Sequence, residues 1–136
     1  MNETKATRKL ASVPIRIRWR DLDAYNHVNN ATFLTYLEEA RLVWLHGLKG
    51  EWYAPTCSPV LASSQVDFRR SIEWPGEVVV DIHCEKLGNS SLTLSHRIRS
   101  ADGARHYADA SVVMVWINPA NGRPTALPDV VRAACT

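Results

Sequence analysis

The chain has 136 residues, of which 46% are hydrophobic, 22% charged and 8% aromatic. This length and balance predict one compact domain and exclude a disordered, collagen-like or coiled-coil chain. The net charge of +2 is too even for the basic surface of a typical nucleic-acid-binding domain.

The cysteines and the apolar stretches indicate the cellular setting. Cys57, Cys84 and Cys135 form an odd set without metal-ligand spacing, so they predict neither a disulfide framework nor a metal site. A reducing compartment such as the cytoplasm is the simpler expectation. No stretch reaches 18 consecutive apolar residues, and the polar N-terminal residues lack the apolar run of a signal peptide. We therefore expect a cytoplasmic protein with no membrane segment and no cofactor.

The first predicted element is a strand that follows a flexible lead-in over residues 1–11. Apolar and polar side chains alternate from Val13 to Trp19, which is typical of a half-buried strand. The polar segment 21–30, DLDAYNHVNN, is rich in turn-forming residues. It ends at Asn29 and Asn30, either of which could cap a following helix.

A long helix is predicted from about residue 31 to residue 46, with Gly47 at its C-terminal end. Its apolar side chains cover more than half of the circumference, so we expect other structure to enclose most of it. Arg41 lies on this apolar side, and a buried charge needs a partner. Glu38 and Asp21 are the predicted partners. The apolar set is Phe33, Leu34, Tyr36, Leu37, Ala40, Val43, Trp44 and Leu45.

Four strand-like runs follow the helix, at 60–70, 77–87, 90–100 and 105–117, and a short final helix is predicted over 128–134. Gly and Pro turn signals separate the runs, and such short connections predict antiparallel neighbours. The expected architecture is α+β, with a curved antiparallel sheet of about five strands wrapped around one long helix. The whole chain, 1–136, forms this single domain.

The segment Trp19–Arg41, WRDLDAYNHVNNATFLTYLEEAR, carries the most specific pattern in the chain. It resembles the signature of acyl-CoA thioesterases of the 4-hydroxybenzoyl-CoA thioesterase type, and within them the bacterial long-chain acyl-CoA branch. Plant acyl-carrier-protein thioesterases share its Asp-x-x-x-His-Val-Asn-Asn core. The resemblance implies the hotdog fold and hydrolysis of acyl-coenzyme A to a free acid and coenzyme A.

The resemblance also implies roles for two residues. The catalytic carboxylate of the family falls on Asp23, and the backbone N–H that polarises the thioester carbonyl falls on Asn30. Physical chemistry independently favours the second role, because a helix N-terminus has unpaired N–H groups and a partial positive charge that suit an oxyanion. Asp23 could activate water as a general base or attack the carbonyl directly. Without the resemblance, capping and turn formation are the usual role of an Asp-rich loop before a helix, and a catalytic Asp23 is the less common alternative.

Other residues of the motif have less definite roles. His27 could orient a substrate group or assist proton transfer, as in the plant enzymes, or could simply form a hydrogen bond in the loop. Asp21 is interpreted as structural. Tyr25 stands where the plant enzymes carry asparagine, and Ser71 stands where some of them place a catalytic Glu. The plant machinery is therefore not carried over as a whole.

Substrate binding is assigned to several positions. Tyr25 and Asn29 of the motif are expected to contact substrate, and Arg70 could meet coenzyme A phosphates, although it could also be a solvated strand end. The turn Gly88-Asn89-Ser90-Ser91 lies where related hotdog enzymes line the pantetheine arm of coenzyme A, and small residues permit such a close approach. An ordinary hairpin turn is the alternative for this segment.

The expected partner is the acyl-CoA substrate, in a homodimer or homotetramer, since hotdog relatives pair their sheets and place the substrate between protomers. The length and kind of the acyl group stay open. Two other functions are compatible with the fold. One is an acyl-thioester dehydratase, although its usual pairing of a helix-borne His with an acid is not evident. The other is a non-catalytic acyl-thioester binding module, which would tolerate loss of Asp23.

Overall fold

The computed structural model describes residues 8–136. Its elements, in chain order, are β1 (Lys9–Arg16), a 3-10 turn (Trp19–Asp21), α1 (Asn30–His46), β2 (Ser58–Phe68), β3 (Glu77–Leu87), β4 (Ser91–Ser100), β5 (His106–Ile117) and α2 (Asp129–Cys135). The predicted α+β architecture, with five antiparallel strands and one long helix, is confirmed, and the short final helix is α2.

The strands form one sheet in the order β1-β3-β4-β5-β2. The meander β3-β4-β5 has the predicted antiparallel neighbours, but β2 does not lie beside β3. It pairs with β5 at the far edge, and segment 69–76 crosses the end of the sheet to reach β3. Ile72 in this segment is completely buried, so the crossing is part of the core and not a simple turn.

The core lies between α1 and the inner face of the sheet. Alternate residues of β3 and β4 point inward and are fully buried, as period-two patterns require. Helix α1 buries one face against them. The completely buried inward residues of the two strands are Val78, Val80, Ile82, Cys84, Leu92, Leu94 and Ile98.

Helix α1 matches its predicted bounds because both ends carry local signals. The Asn29 side chain accepts a hydrogen bond from the Ala31 N–H at 2.8 Å, and Gly47 follows the last helical residue. The helix is less enclosed than predicted, since Leu34 and Val43 are 42% and 51% exposed.

Strand β1 lies earlier in the chain than predicted. It begins at Lys9, so three residues of the predicted lead-in, 9–11, belong to the strand, while residues 1–7 lie outside the described part. Ile17 keeps the buried alternation, but Trp19 is 70% exposed and belongs to the 3-10 turn. The strand pattern is interrupted because the Asp21 carboxylate accepts the Arg18 N–H at 3.0 Å and turns the chain.

Arg41 is buried as predicted, but its predicted ion pair is wrong. Within residues 8–136 no carboxylate lies at ion-pair distance from its guanidinium. Burial lowers the pKa of Arg41, and the charge of Glu38 offsets this only in part. Asp21 is instead engaged by Arg18 and Tyr36. The helical pattern identified the buried face of α1 but not what lies across from it.

His96 is a second buried basic group, on the inner face of β4. It is 2% exposed, and neither ring nitrogen makes a well-formed hydrogen bond within the described residues. Burial and the nearby positive charge of Arg41 lower the pKa of His96 to about 3. Because histidine in an unfolded chain titrates near pH 6.5, the unfolded chain gains a proton between pH 6.5 and 3 that the folded protein does not bind.

We therefore expect His96 to make the protein less stable as the pH falls below 6.5. The free energy of unfolding should decrease by up to about 1.4 kcal/mol per pH unit in this window. His96→Leu should remove this slope and raise stability at pH 7 by about 1 kcal/mol, since two unpaired polar atoms leave the core. Urea unfolding at pH 7.5, 6.5, 5.5 and 4.5 measures both effects. His83→Leu, on the outer face of β3, is the control, and a slope that survives in His96→Leu would contradict the assignment.

Two further properties of residues 8–136 bear on function. No helix there is long and apolar enough to cross a membrane. Nor does this part of the chain contain a group of three or more His, Cys, Asp or Glu side chains arranged to hold a metal ion.

Candidate active site

The loop between β1 and α1 is held in place by a buried carboxylate. Asp21 is 4% exposed, and its Oδ2 accepts hydrogen bonds from the Tyr36 hydroxyl at 2.7 Å and the Arg18 N–H at 3.0 Å. Burial alone would raise the pKa of Asp21, but these hydrogen bonds and the Arg18 charge lower it. The carboxylate is thus kept ionised and fully engaged, which gives Asp21 the structural role inferred from the sequence.

Tyr36 is the part of this anchor that the sequence reading missed. The helical pattern puts Tyr36 on the apolar arc of α1, yet its hydroxyl donates a hydrogen bond to Asp21. Burial and the negative charge of Asp21 raise the pKa of Tyr36. A buried tyrosine hydroxyl needs a partner, so the polar tip of Tyr36 was the available signal.

Asp23 lies in a tight turn beyond this anchor. Its N–H donates to the His27 carbonyl and its carbonyl accepts from the Asn26 N–H, both at 3.0 Å, while Asn26 adopts a left-handed φ of 62°. Asp23 Oδ1 accepts the Tyr25 N–H at 2.9 Å. Its Oδ2 has no hydrogen-bond partner among the described residues, so this half-buried carboxylate has an oxygen free to accept a proton or to attack a carbon.

The start of α1 presents an unpaired N–H group beside this turn in the chain. The Asn29 side chain takes the Ala31 N–H and the Asn29 carbonyl takes the Thr32 N–H, both at 2.8 Å. The Asn30 N–H has no acceptor within residues 8–136. This N–H lies at the positive end of the helix dipole, so it can donate a hydrogen bond to a carbonyl oxygen bound at the start of α1.

His27 and Arg70 face the same end of the sheet. The loop is fixed to the crossing segment by the Val28 N–H, which donates to the Ile72 carbonyl at 2.9 Å. His27 Nε2 lies 3.8 Å from a Glu73 carboxylate oxygen. The sequence pattern did not predict Glu73, which lies two residues after Ser71. Arg70, just beyond the end of β2, lines a 550 Å³ groove together with Glu73.

Two of the predicted substrate-binding residues have well-defined surroundings. The Tyr25 side chain is 82% exposed, so it is free to contact a bound molecule. The Asn29 side-chain oxygen caps α1. The Asn29 side chain keeps its N–H₂ group and one lone pair of Oδ1 for further hydrogen bonds.

The turn Gly88-Asn89-Ser90-Ser91 is not brought to this site within one chain. It follows the end of β3, whereas β1 leads into the Asp23 loop next to Glu77, at the start of β3. With about 3.3 Å per strand residue, the two regions lie roughly 30 Å apart along the sheet. The predicted site therefore divides into an Asp23 end and a turn end.

Comparisons with known proteins bear on this arrangement. The family model described as the thioesterase-like superfamily matches residues 17–135. The chain is 29% identical to the long-chain acyl-CoA thioesterase FadM of Escherichia coli over 120 residues, which are 87% of this chain and 91% of that protein. The structure of the PA2801 protein from Pseudomonas aeruginosa matches with a TM-score of 0.85 and 34% identity, covering 95% of this chain and 100% of the other. A Thermus thermophilus thioesterase solved with coenzyme A and Zn matches with a TM-score of 0.77 and 33% identity, covering 95% and 98%.

Proposed function

Because the chain belongs to the thioesterase-like superfamily and is a thioester hydrolase of the hotdog fold, we propose that it cleaves acyl-coenzyme A to a free carboxylic acid and coenzyme A. Relatives that act on acyl-CoA or bind coenzyme A support this substrate class. The observation that carries the proposal is that Asp23 and Asn30, seven residues apart, each have one free group. Asp23 has a carboxylate oxygen, and Asn30 has a backbone N–H, without a hydrogen-bond partner among the described residues.

In the proposed mechanism the thioester carbonyl oxygen accepts the Asn30 N–H. Negative charge develops on this oxygen as the carbonyl carbon becomes tetrahedral, and the helix N-terminus stabilises it. Such a donor contributes about a hundredfold or more to the rate. The donor belongs to the backbone, so it requires the start of the helix and not the asparagine side chain.

Asp23 supplies the second half of the chemistry by one of two routes. As a general base it takes a proton from water while the water oxygen bonds to the carbonyl carbon. As a nucleophile its carboxylate bonds to that carbon and forms an anhydride, which water then hydrolyses. In both routes the carbon–sulfur bond breaks and the coenzyme A thiolate leaves. In the first route Asp23 passes the proton taken from water to this thiolate, and in the second route solvent water protonates it. His27 and Glu73, near the same loop, are candidates for orienting the substrate or the water.

We propose that the complete site contains two copies of the chain. Among residues 8–136, strand β2 is an edge strand with one unpaired side, and Leu61 and Phe68 on its inner face are 52% and 47% exposed. An exposed apolar edge strand is a template for pairing with another chain. The minimal unit would be a homodimer, and two such dimers would form a homotetramer.

Two-fold pairing of β2 with β2 would unite the divided site. Antiparallel pairing sets the Phe68 end of one strand against the Ser58 end of the other. The Asp23 loop lies at the Phe68 end, and the turn 88–91 lies at the Ser58 end, beside the last residues of β5. Gly88, Asn89, Ser90 and Ser91 of one copy would then bind the pantetheine arm of a substrate held by Asp23, Tyr25 and Arg70 of the other.

Three free cysteines favour the cytoplasm as the location.

The test of the activity is thiol release from short-chain, long-chain and aryl acyl-CoAs. We expect hydrolysis of at least one class, and the preferred acyl group identifies the substrate. Simple thioesters that lack coenzyme A should be cleaved less efficiently than the matching acyl-CoA. Equal cleavage of the two would argue against specificity for acyl-CoA. The absence of hydrolysis for every substrate would contradict the proposal.

The shared site makes a separate prediction that mixed dimers test. Asp23→Asn removes the proposed catalytic carboxylate at one end. Gly88→Val should distort the turn at the other end, because a β-carbon at Gly88 would lie 2.7 Å from Ser91 Oγ and 3.2 Å from the Ser91 carbonyl oxygen. At acyl-CoA concentrations well below the wild-type KM, each homodimer should have little activity. After equimolar unfolding and refolding together, half of the dimers should be mixed, each with one intact site, giving about a quarter of wild-type activity. No recovery in confirmed mixed dimers would show that one chain supplies the whole site.

A further inference from the structure

The C-terminal helix α2 is attached to the turn between β3 and β4 by Arg132. One guanidinium nitrogen, Nη2, donates to the Gly88 carbonyl at 2.8 Å and to the Asn89 carbonyl at 3.2 Å. The Leu127 N–H, just before α2, also donates to the Asn89 carbonyl at 2.9 Å. Hydrogen bonds from a charged donor are about twice as strong as neutral ones, so Arg132 is the main contact between α2 and the turn.

These contacts determine what the turn presents to its surroundings. The Ser90 carbonyl accepts the Trp116 N–H at 2.9 Å, so the carbonyls of Gly88, Asn89 and Ser90 are all occupied. The N–H groups of Asn89 and Ser90 have no acceptor among the described residues. The turn is thus oriented with its acceptors toward the protein and its donors available for a ligand.

Helix α2 is itself firmly attached to the sheet. Val131 and Cys135 are buried, and α2 packs against β3. Arg132 lies between these two buried residues in sequence and is half-buried. The backbone of Arg132 is therefore fixed in position, and its guanidinium holds the turn in one orientation.

We propose that Arg132 is a positioning residue for coenzyme A binding, holding the turn 88–91 so that its N–H groups meet the carbonyl, hydroxyl and phosphate acceptors of the coenzyme A arm. The proposal rests on the proposed function, since it takes acyl-CoA as the ligand. Arg132 acts through the turn and not on the reacting thioester, so its loss should weaken binding of the coenzyme A portion and leave the chemical step unchanged.

The test compares two thioesters of the same acid in Arg132→Met, Arg132→Lys and wild type. One substrate is the acyl-CoA, and the other is the acyl-N-acetylcysteamine thioester, which lacks the pantothenate and nucleotide portions. In Arg132→Met the KM for acyl-CoA should rise about tenfold, as expected for the loss of about 1.4 kcal/mol of binding. Its kcat should stay within about twofold, and kcat/KM for the short thioester should not change. Arg132→Lys should restore part of the loss, because it keeps a charged donor.

Arg123→Met is the matched control, since Arg123 is exposed and its side chain makes no hydrogen bond within residues 8–136. Equal losses for both thioesters in Arg132→Met would indicate a merely structural role and overturn the proposal, as would an unchanged KM. Calorimetric titration with coenzyme A supplies an arm that needs no turnover. If wild type hydrolyses neither thioester, the proposed function fails, whereas weaker coenzyme A binding by Arg132→Met would still support the positioning role. If Arg132→Met does not fold, a coenzyme A dissociation constant unchanged in Arg132→Lys overturns it.

Discussion

Replacing Asp23 by asparagine is expected to lower kcat for acyl-CoA hydrolysis by about 10³-fold without changing the fold. An asparagine keeps the side-chain oxygen that accepts the Tyr25 N–H, so the shape of the loop should be retained. It cannot take a proton from water, and it is a poor nucleophile, so both proposed routes are blocked. Steady-state thiol release, together with circular dichroism and thermal unfolding, measures the two expectations.

Asp21→Asn is the matched control for this experiment, because it makes the same chemical change two residues away. It removes a buried charge that binds Arg18 and Tyr36, so it should destabilise the protein by about 1–3 kcal/mol. Asp21 holds the loop and does not touch the thioester, so the kcat of its folded fraction should fall far less than in Asp23→Asn. Activity that survives in Asp23→Asn, or that collapses equally in both variants, would remove Asp23 from the catalytic role.

Asn30→Pro is expected to lower kcat by about 100-fold, whereas Asn30→Ala should behave like wild type. Asn30 is the first residue of α1, and proline is well tolerated there because its fixed φ suits the helix start. The preceding residue, Asn29, already has φ −58° and ψ 137°, the conformation that a following proline favours. The substitution thus removes only the N–H that we propose to polarise the carbonyl.

The two Asn30 variants separate the backbone from the side chain. Alanine keeps the N–H and removes the amide, whereas proline removes both. The same thiol-release assay, with helix content measured by circular dichroism, distinguishes them. A proline variant with normal kcat and intact helicity would show that another group binds the developing oxyanion. A loss in both variants would assign the effect to the asparagine side chain.

Signals between residues close in sequence predicted the helices and strands well. They did not predict which strands pair with each other. The bounds of α1 follow from Asn29 and Gly47, which act on their own backbone neighbours. The end of β1 was displaced because Asp21 captures the Arg18 N–H, and alternation alone does not reveal that contact. The position of β2 beside β5 was missed because a period-two pattern specifies a face and not a neighbour.

The same distinction between local signals and long-range contacts applies to the candidate site. Asp23 and Asn30 were found because they belong to one short motif whose residues are neighbours in the chain. The turn at Gly88 was found as a segment, but its distance from Asp23 depends on the length of β3 and was not predicted. Arg132 had no signal in the sequence, because its partners are backbone carbonyls 43 and 44 residues away.

The strand order also has a consequence for how this polypeptide is made. Lys9 of β1 pairs with His83, and Ser58 of β2 pairs with Ile117, so each edge strand leaves the ribosome well before the strand it will join. The central meander can form from neighbouring segments, but β2 has no partner until nearly the whole chain has been synthesised. Pairings this distant in sequence make folding slow. During that interval the nascent chain carries an unpaired strand with the same apolar residues that the finished protein would offer to a second copy, and premature pairing between chains competes with folding.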